Sequence, residues 1–287
     1  MQFKHLNIFR FNFLQLVVLS MPLLIVNVKH ASELVILFLT IFGVYFSIRE
    51  RKLPFFHDQL KIYSYLVLAF FFSIVISVIL SNNPIQGIHR IGSNIHFLVA
   101  PFVAYGIYKS NINLKHMVMV IKISVIISSI YAIYGVFYLG IGRAEVGADA
   151  STIFSFIMSF FGFTVIHDIW TQSNKEKLLS IFIFILAMYS VVLSGSRIAL
   201  VMCIALSFSI MFIWSIRGLI DQKKVLLIVI ALALITTLFM YNKQFSSRID
   251  EIFIEIKNFS NDKDAHGSVD LRLSMWSGGL KAFKQQP

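Results

Sequence analysis

Apolar residues fill this chain in long runs parted by short polar breaks. A membrane crossing takes roughly 20 residues at about 1.5 Å rise each. Run length on that scale predicts nine spans, near 11–28, 33–48, 61–80, 94–108, 117–139, 152–169, 178–193, 198–216 and 225–241. Pro84 fits a turn between spans, and Pro101 lies inside one, where a kink is tolerated. No period of 20–50 residues points to a repeat array. After Tyr241 the pattern turns polar and charged. The expected fold is therefore an all-α integral membrane protein. Residues 1–241 form a polytopic helical bundle of about nine transmembrane helices, and 242–287 form an external, partly helical segment.

The longest apolar run, Leu178 to Ile216, is about twice what one crossing needs and is broken once, at Ser194-Gly195-Ser196-Arg197. The tetrapeptide reads as a tight turn between two crossings. The arm before it, Leu178 to Leu193, spans roughly 24 Å. Arg197 then sits at or slightly below the far interface, where a cation is expensive unless an anion meets it.

Composition narrows the class. Hydrophobic residues make up 57% and charged residues 14%, against about 25% charged in soluble domains. The 29 Phe and 10 Met serve lipid-facing and inter-helix packing. The single cysteine, Cys203, rules out an intrachain disulfide. No small-residue cleavage site follows the first apolar stretch, so the first span is expected to be retained. A net charge of +11 would suggest nucleic acid in a soluble chain; here its distribution sets orientation in membrane lipids instead. With the N-terminus inside, thirteen Lys and Arg fall on the inner side of the bundle, and only Lys29, Arg90, Arg143 and Arg197 fall in the short outer loops. The N-terminus is therefore predicted cytoplasmic and residues 242–287 external.

Three of those four outer cations are arginines, whose planar fork matches phosphate bidentately. Arg90 reads most simply as a head-group anchor. Arg143, in Gly140-Ile141-Gly142-Arg143-Ala144-Glu145, has Glu145 at hand as a possible partner. Arg197, in a Ser-Gly-Ser turn on a short arm, is the strongest candidate for function. Lys122, inside a predicted span, is expected to snorkel to the inner interface, and His96 and His167 to be interface residues. No acidic residues recur at mid-membrane, which argues against a pump. In the external segment Ile249, Ile252, Phe253, Ile256 and Phe259 recur at helical spacing and predict an amphipathic surface helix. A second helix is expected to start at Ser268 or Asp270, with Leu273, Trp276, Leu280 and Phe283 on one face. Arg272 falls in its first turn, where the helix dipole disfavours a cation and a nearby anion would explain it.

Leu193-Ser194-Gly195-Ser196-Arg197 opening a span, followed about 75 positions later by Leu271-Arg272-Leu273-Ser274-Met275-Trp276, resembles the O-antigen ligase and O-antigen polymerase superfamily. Gly142-Arg143-Ala144 resembles an arginine motif in that family's earlier external loop. The similarity covers roughly residues 140–287. It implies a metal-independent, inverting glycosyltransferase of the bacterial inner (cytoplasmic) membrane, with no cofactor. The donor would be a glycan on undecaprenyl diphosphate, and the acceptor a hydroxyl of lipid A core (ligase) or of another lipid-linked glycan (polymerase). A protein O-glycosylating relative is a third version. Carried over, Arg197 and Arg272 are the catalytic arginines, and Arg143, Ser194, Ser196, Arg197 and Arg272 bind the donor diphosphate. The family's acceptor-activating histidine would lie beyond Pro287, so the resemblance implies a C-terminally truncated chain; His266 precedes Arg272 and does not match. Asp262-Lys263-Asp264 beside His266 looks like a metal-binding DxD, but two acids in an Asn/Gly-rich loop are ordinarily solvation, and no metal site is assigned. A polysaccharide transporter or flippase is the alternative of another class. It predicts related halves and polar residues lining a cavity, and neither is evident in the sequence.

Overall fold

A computed structural model describes residues 12–80, 84–148, 150–167, 169–218 and 268–285, apart from some side chains within the helices. These residues are mostly helical, with no strand among them. The helices are α1 (Phe13–Asn27), α2 (Ala31–Glu50), α3 (Lys61–Ile79), α4 (Pro84–Ser93), α5 (His96–Ser110), α6 (Leu114–Phe137), α7 (Ser151–Ile166), α8 (Asn174–Ser194), α9 (Arg197–Ile216) and α10 (Ser268–Gln285). Helices occupy the first eight predicted spans. The ninth, at 225–241, and the amphipathic stretch at 249–259 lie outside the described residues.

Five segments are long and apolar enough to cross a membrane: Ala31–Glu50, Lys61–Ile79, Gly87–Ser110, Leu114–Phe137 and Asn174–Ser194. Phe13–Asn27, Ser151–Ile166 and Val201–Ile216 are apolar but shorter. Of the nine expected crossings, five meet both criteria among the described residues, and α1 and α7 do not. Length is the reason, because α1 and α7 have 15 and 16 residues. Pro84 also differs from the sequence reading. It opens helix α4 instead of marking a plain turn, since its missing N–H costs nothing at a first helical position.

The chain divides into two compact units, 1–206 and 207–287. In the first, α1 packs on α2 and α6, α2 on α5, α5 on α3, and α8 on both α6 and α7. α6 runs parallel to α1 and α8: its Ser124 and Ser128 meet Pro22 and Asn27 of α1, and its Lys122 and Ser129 meet Ser180 and Ser190 of α8. The ends of α1, α6 and α8 therefore lie at the same end of the bundle as the starts of α2, α7 and α9. The interior combines aliphatic side chains with serines. Val18, Leu39, Val125, Phe154, Met158 and Val191 are buried, and so are Ser124, Ser128, Ser155 and Ser190. In a bundle whose outside is as apolar as its inside, association rests on close packing and interhelical hydrogen bonds more than on hydrophobicity. Ser124 Oγ donates to Pro22 O at 2.6 Å and Ser128 Oγ to Asn27 Oδ1 at 3.0 Å, tying α6 to α1. Ser190 Oγ donates to Ser129 Oγ at 2.9 Å, tying α8 to α6. Outward-facing side chains are large and apolar, such as Ile62, Leu66, Phe70 and Ile76 on α3. That is the surface of an integral membrane protein.

In the second unit the described residues are the end of α9 from Ser207, the turn to Gly218, and α10. Met275, Trp276 and Leu280 are exposed on α10.

Candidate functional site

The break in the long apolar run is a helix–turn–helix corner. α8 ends at Ser194, Gly195 takes the left-handed conformation (φ 61°, ψ 21°), and α9 begins at Arg197. A left-handed residue closing a helix is the ordinary place for glycine, which lacks the Cβ that would clash. Gly195 N donates to Val192 O at 3.0 Å. Ser194 is fully buried, and its hydroxyl donates to Val191 O at 2.7 Å while accepting from Ser196 N at 3.3 Å. The Ser194 hydroxyl is therefore engaged within the corner itself, whereas Ser196 is half-buried.

The loop from Tyr138 to Ala150 is held against this corner at two points. Ala144 N donates to Leu193 O at 3.1 Å, an acceptor left open because it lies in the last turn of α8. Gly147 N donates to Val26 O at 2.9 Å, at the end of α1. The second fastening demands glycine, since a Cβ at 147 would stand 2.3 Å from Asn27 C. Ala144 and Ala148 are buried as a result. Between the fastenings and the preceding turn, Arg143 is set against Gly195: a Cβ placed on Gly195 would be 4.0 Å from both Cγ and Nε of Arg143.

Arg143 is half-buried. Among the described residues no carboxylate lies within ion-pair distance of it, and the possible pairing with Glu145 does not form. The fold thus brings Arg143, Ser194 and Ser196 together at one end of the bundle, with the first residue of α9, Arg197, two positions past Gly195. The Arg197 side chain lies outside the described residues. Arg272 lies just past the first turn of α10 because that helix starts at Ser268; its side chain is likewise outside the described residues. Arg90 is exposed on α4.

Two polar clusters at the other end of the bundle escaped the sequence reading. Lys122, expected to snorkel to the inner interface, meets a side chain of a neighbouring helix. Its Nζ donates to Ser180 Oγ at 2.9 Å, and Ser180 Oγ donates to Gln172 Oε1 at 2.8 Å. Glu50 at the end of α2 accepts from Tyr105 Oη at 2.7 Å and pairs with Lys109 Nζ at 2.7 Å. A lysine at a serine's height on a neighbouring helix has no signature in one chain's sequence. Among the described residues no group of three His, Cys, Asp or Glu side chains is arranged to hold a metal ion.

Residues 182–287 match the family model described as O-antigen ligase. The matched segment begins within α8 and includes both the Ser194–Arg197 corner and Arg272. Arg143 precedes it, and its loop is linked to that segment by the hydrogen bond from Ala144 N to Leu193 O. No curated protein and no solved structure matches the chain.

Proposed function

We propose, from an O-antigen ligase segment at residues 182–287, that this integral membrane protein transfers an O-antigen-type glycan from undecaprenyl diphosphate to a hydroxyl of lipid A core. The reaction takes place on the periplasmic side of the bacterial inner membrane. The acceptor oxygen attacks the anomeric carbon from the face opposite the diphosphate. The bond from that carbon to the diphosphate oxygen breaks, inverting the configuration, and the acceptor proton leaves to solvent or to a base. Negative charge builds on the departing diphosphate, and arginine forks placed there in advance stabilise it without reorganising.

One observation carries the reading: a loop arginine, Arg143, fixed against the Gly195 corner with no carboxylate partner among the described residues. A half-buried guanidinium with no carboxylate partner among the described residues is a place for a foreign anion. The start of α9 at the same corner adds the positive end of a helix dipole. In this proposal Arg197 and Arg272 are the catalytic arginines. Arg143, Ser194 and Ser196 complete the diphosphate site, with Ser194 acting through the corner it braces.

The test is deletion of the gene followed by complementation with wild type, Arg197→Ala or Arg272→Ala. Loss of O-antigen from lipid A core on deletion, restored by wild type but by neither variant at equal membrane abundance, is the expected result. A single repeat left on core would reassign the same site to a polymerase. Unchanged lipopolysaccharide would overturn the glycan-transfer reading, and full rescue by both variants would overturn the site.

A further inference from the structure

We propose that the end of α2 holds one anionic phospholipid, in a groove of about 380 Å³ between α2 and α5. Its floor is apolar: Val44 and Ile48 from α2, Phe102 from α5, and Leu53 from the segment that follows α2. Arg51 and Lys52 stand at its rim.

The shape follows from the packing. α2 and α5 touch backbone to backbone at Gly43, where a Cβ would stand 1.9 Å from Phe102 O, so the groove closes at that point. Beyond it the chain turns back. Arg51 N donates to Ile48 O at 3.2 Å and Lys52 N to Ser47 O at 3.1 Å, the paired bonds of a Schellman cap. The buried Pro54 follows, and the Phe55 ring meets the Phe102 ring edge-on at 6.0 Å. The turned-back segment is thereby pinned as the outer wall.

The rim carries the specificity. Arg51 is left-handed (φ 50°) at the position where such caps normally take glycine. Conformation does not favour arginine there, so its side chain is the reason to look for a ligand. The neighbouring carboxylate, Glu50, is engaged by Lys109 and Tyr105. Among the described residues Arg51 and Lys52 have no carboxylate within ion-pair distance. Two uncompensated cations above an apolar slot, in a protein bounded by lipid, match a phosphate head group above an acyl chain. The end of the bundle concerned is the Lys/Arg-rich one, opposite the Gly195 corner, so the inference does not depend on the glycosyltransferase reading.

The experiment is native mass spectrometry of the detergent-purified full chain, offered phosphatidylglycerol and phosphatidylcholine of identical acyl chains. Wild type should retain one phosphatidylglycerol in preference to phosphatidylcholine by about thirty-fold, the ratio for two cations at about 1 kcal/mol each. Arg51→Gln/Lys52→Gln should bring the ratio close to one, whereas Lys175→Gln/Lys177→Gln, an equal charge loss at the same end, should leave it unchanged. Val44→Trp should weaken retention of both lipids. Equal retention of the two lipids by wild type would overturn the proposal, as would an equal fall in both double variants, which would mean a diffuse field and no site.

Discussion

Arg143 lies beside Gly195 although 52 positions separate them, with the arginine's Cγ and Nε each 4.0 Å from where a Cβ on the glycine would lie. This placement depends on two separate demands. Gly195 must be left-handed for α8 to turn into α9, and Ala144 must reach the open carbonyl of Leu193 for the loop to lie over that turn. Changing either should misplace the arginine without removing it.

Substitution at Gly195 separates backbone strain from side-chain crowding. Ala at φ 61° should cost about 1–2 kcal/mol, read as a lowered Tm in detergent. Its methyl group only touches Arg143, so part of the glycan transfer should remain. Asn, which tolerates the left-handed region, should recover most of the stability. Leu should cost more and abolish transfer, because its side chain must occupy the space of Arg143. A Gly195→Leu variant with wild-type transfer in a lipopolysaccharide gel assay would show that the placement has no role in the reaction.

Arg143 itself should matter for transfer and little for folding. It makes no ion pair among the described residues, and the loop is fastened by backbone bonds on either side of the corner. Arg143→Ala should therefore leave Tm nearly unchanged while lowering the transfer rate about 10²-fold, the scale for losing one preorganised donor to developing charge. Arg143→Lys keeps the charge and loses the fork, so an intermediate rate is expected. A fall in Tm that accounts for the lost rate in both variants would make Arg143 a packing residue.

How much of this was legible beforehand depends on the physical range of each signal. Apolar runs are local, so α1 to α3 and α5 to α9 could be located from the pattern alone, and Gly195 from the one break in the longest run; α4, polar and short, could not. The charge count along the loops likewise marked Arg143 and Arg197. What no local pattern carries is the partner of a loop. Glu145, two residues away, was the natural partner for Arg143 by proximity in sequence; the fold leaves the two unpaired and sets Arg143 against the end of α8. Lys122 is the same lesson inside a span. Its depth suggested a stem running to the interface; that its ammonium meets Ser180 on a neighbouring helix could not be read from the sequence. Gly147 did leave a trace, as one of three glycines within eight residues, though nothing said that its neighbour would be α1.

Two glycines in helices should respond in opposite ways to alanine. At Gly43 the added Cβ would stand 1.9 Å from Phe102 O, an immovable backbone atom, so α2 and α5 must separate. Overpacking of this kind costs about 1–3 kcal/mol, and Gly43→Ala should lower Tm accordingly. At Gly92 nothing lies within 4 Å, and the residue sits inside α4. Gly92→Ala should be neutral or stabilising by up to about 1 kcal/mol through helix propensity. Thermal denaturation of both variants in the same detergent checks the pair. Equal shifts would mean that α2 and α5 are not in backbone contact.

The last expectation concerns the chain Lys122–Ser180–Gln172. Ser180 is fully buried and serves both neighbours, accepting from Lys122 Nζ at 2.9 Å and donating to Gln172 Oε1 at 2.8 Å. Ser180→Ala removes an acceptor from an ammonium and a donor from an amide oxygen together. The cost should be about 1–3 kcal/mol, the penalty for leaving a buried polar group unsatisfied. Lys122→Met should cost much less, because its long apolar side chain fills the same path without needing a partner. In the Lys122→Met background, Ser180→Ala should become mild, since only Gln172 then loses a bond. The two changes should therefore be non-additive, and a double-mutant cycle on unfolding free energies should return a coupling of at least about 0.5 kcal/mol. Strict additivity would mean that Lys122 is satisfied elsewhere, at the interface, and that the hydrogen bond to Ser180 contributes nothing to the folded bundle.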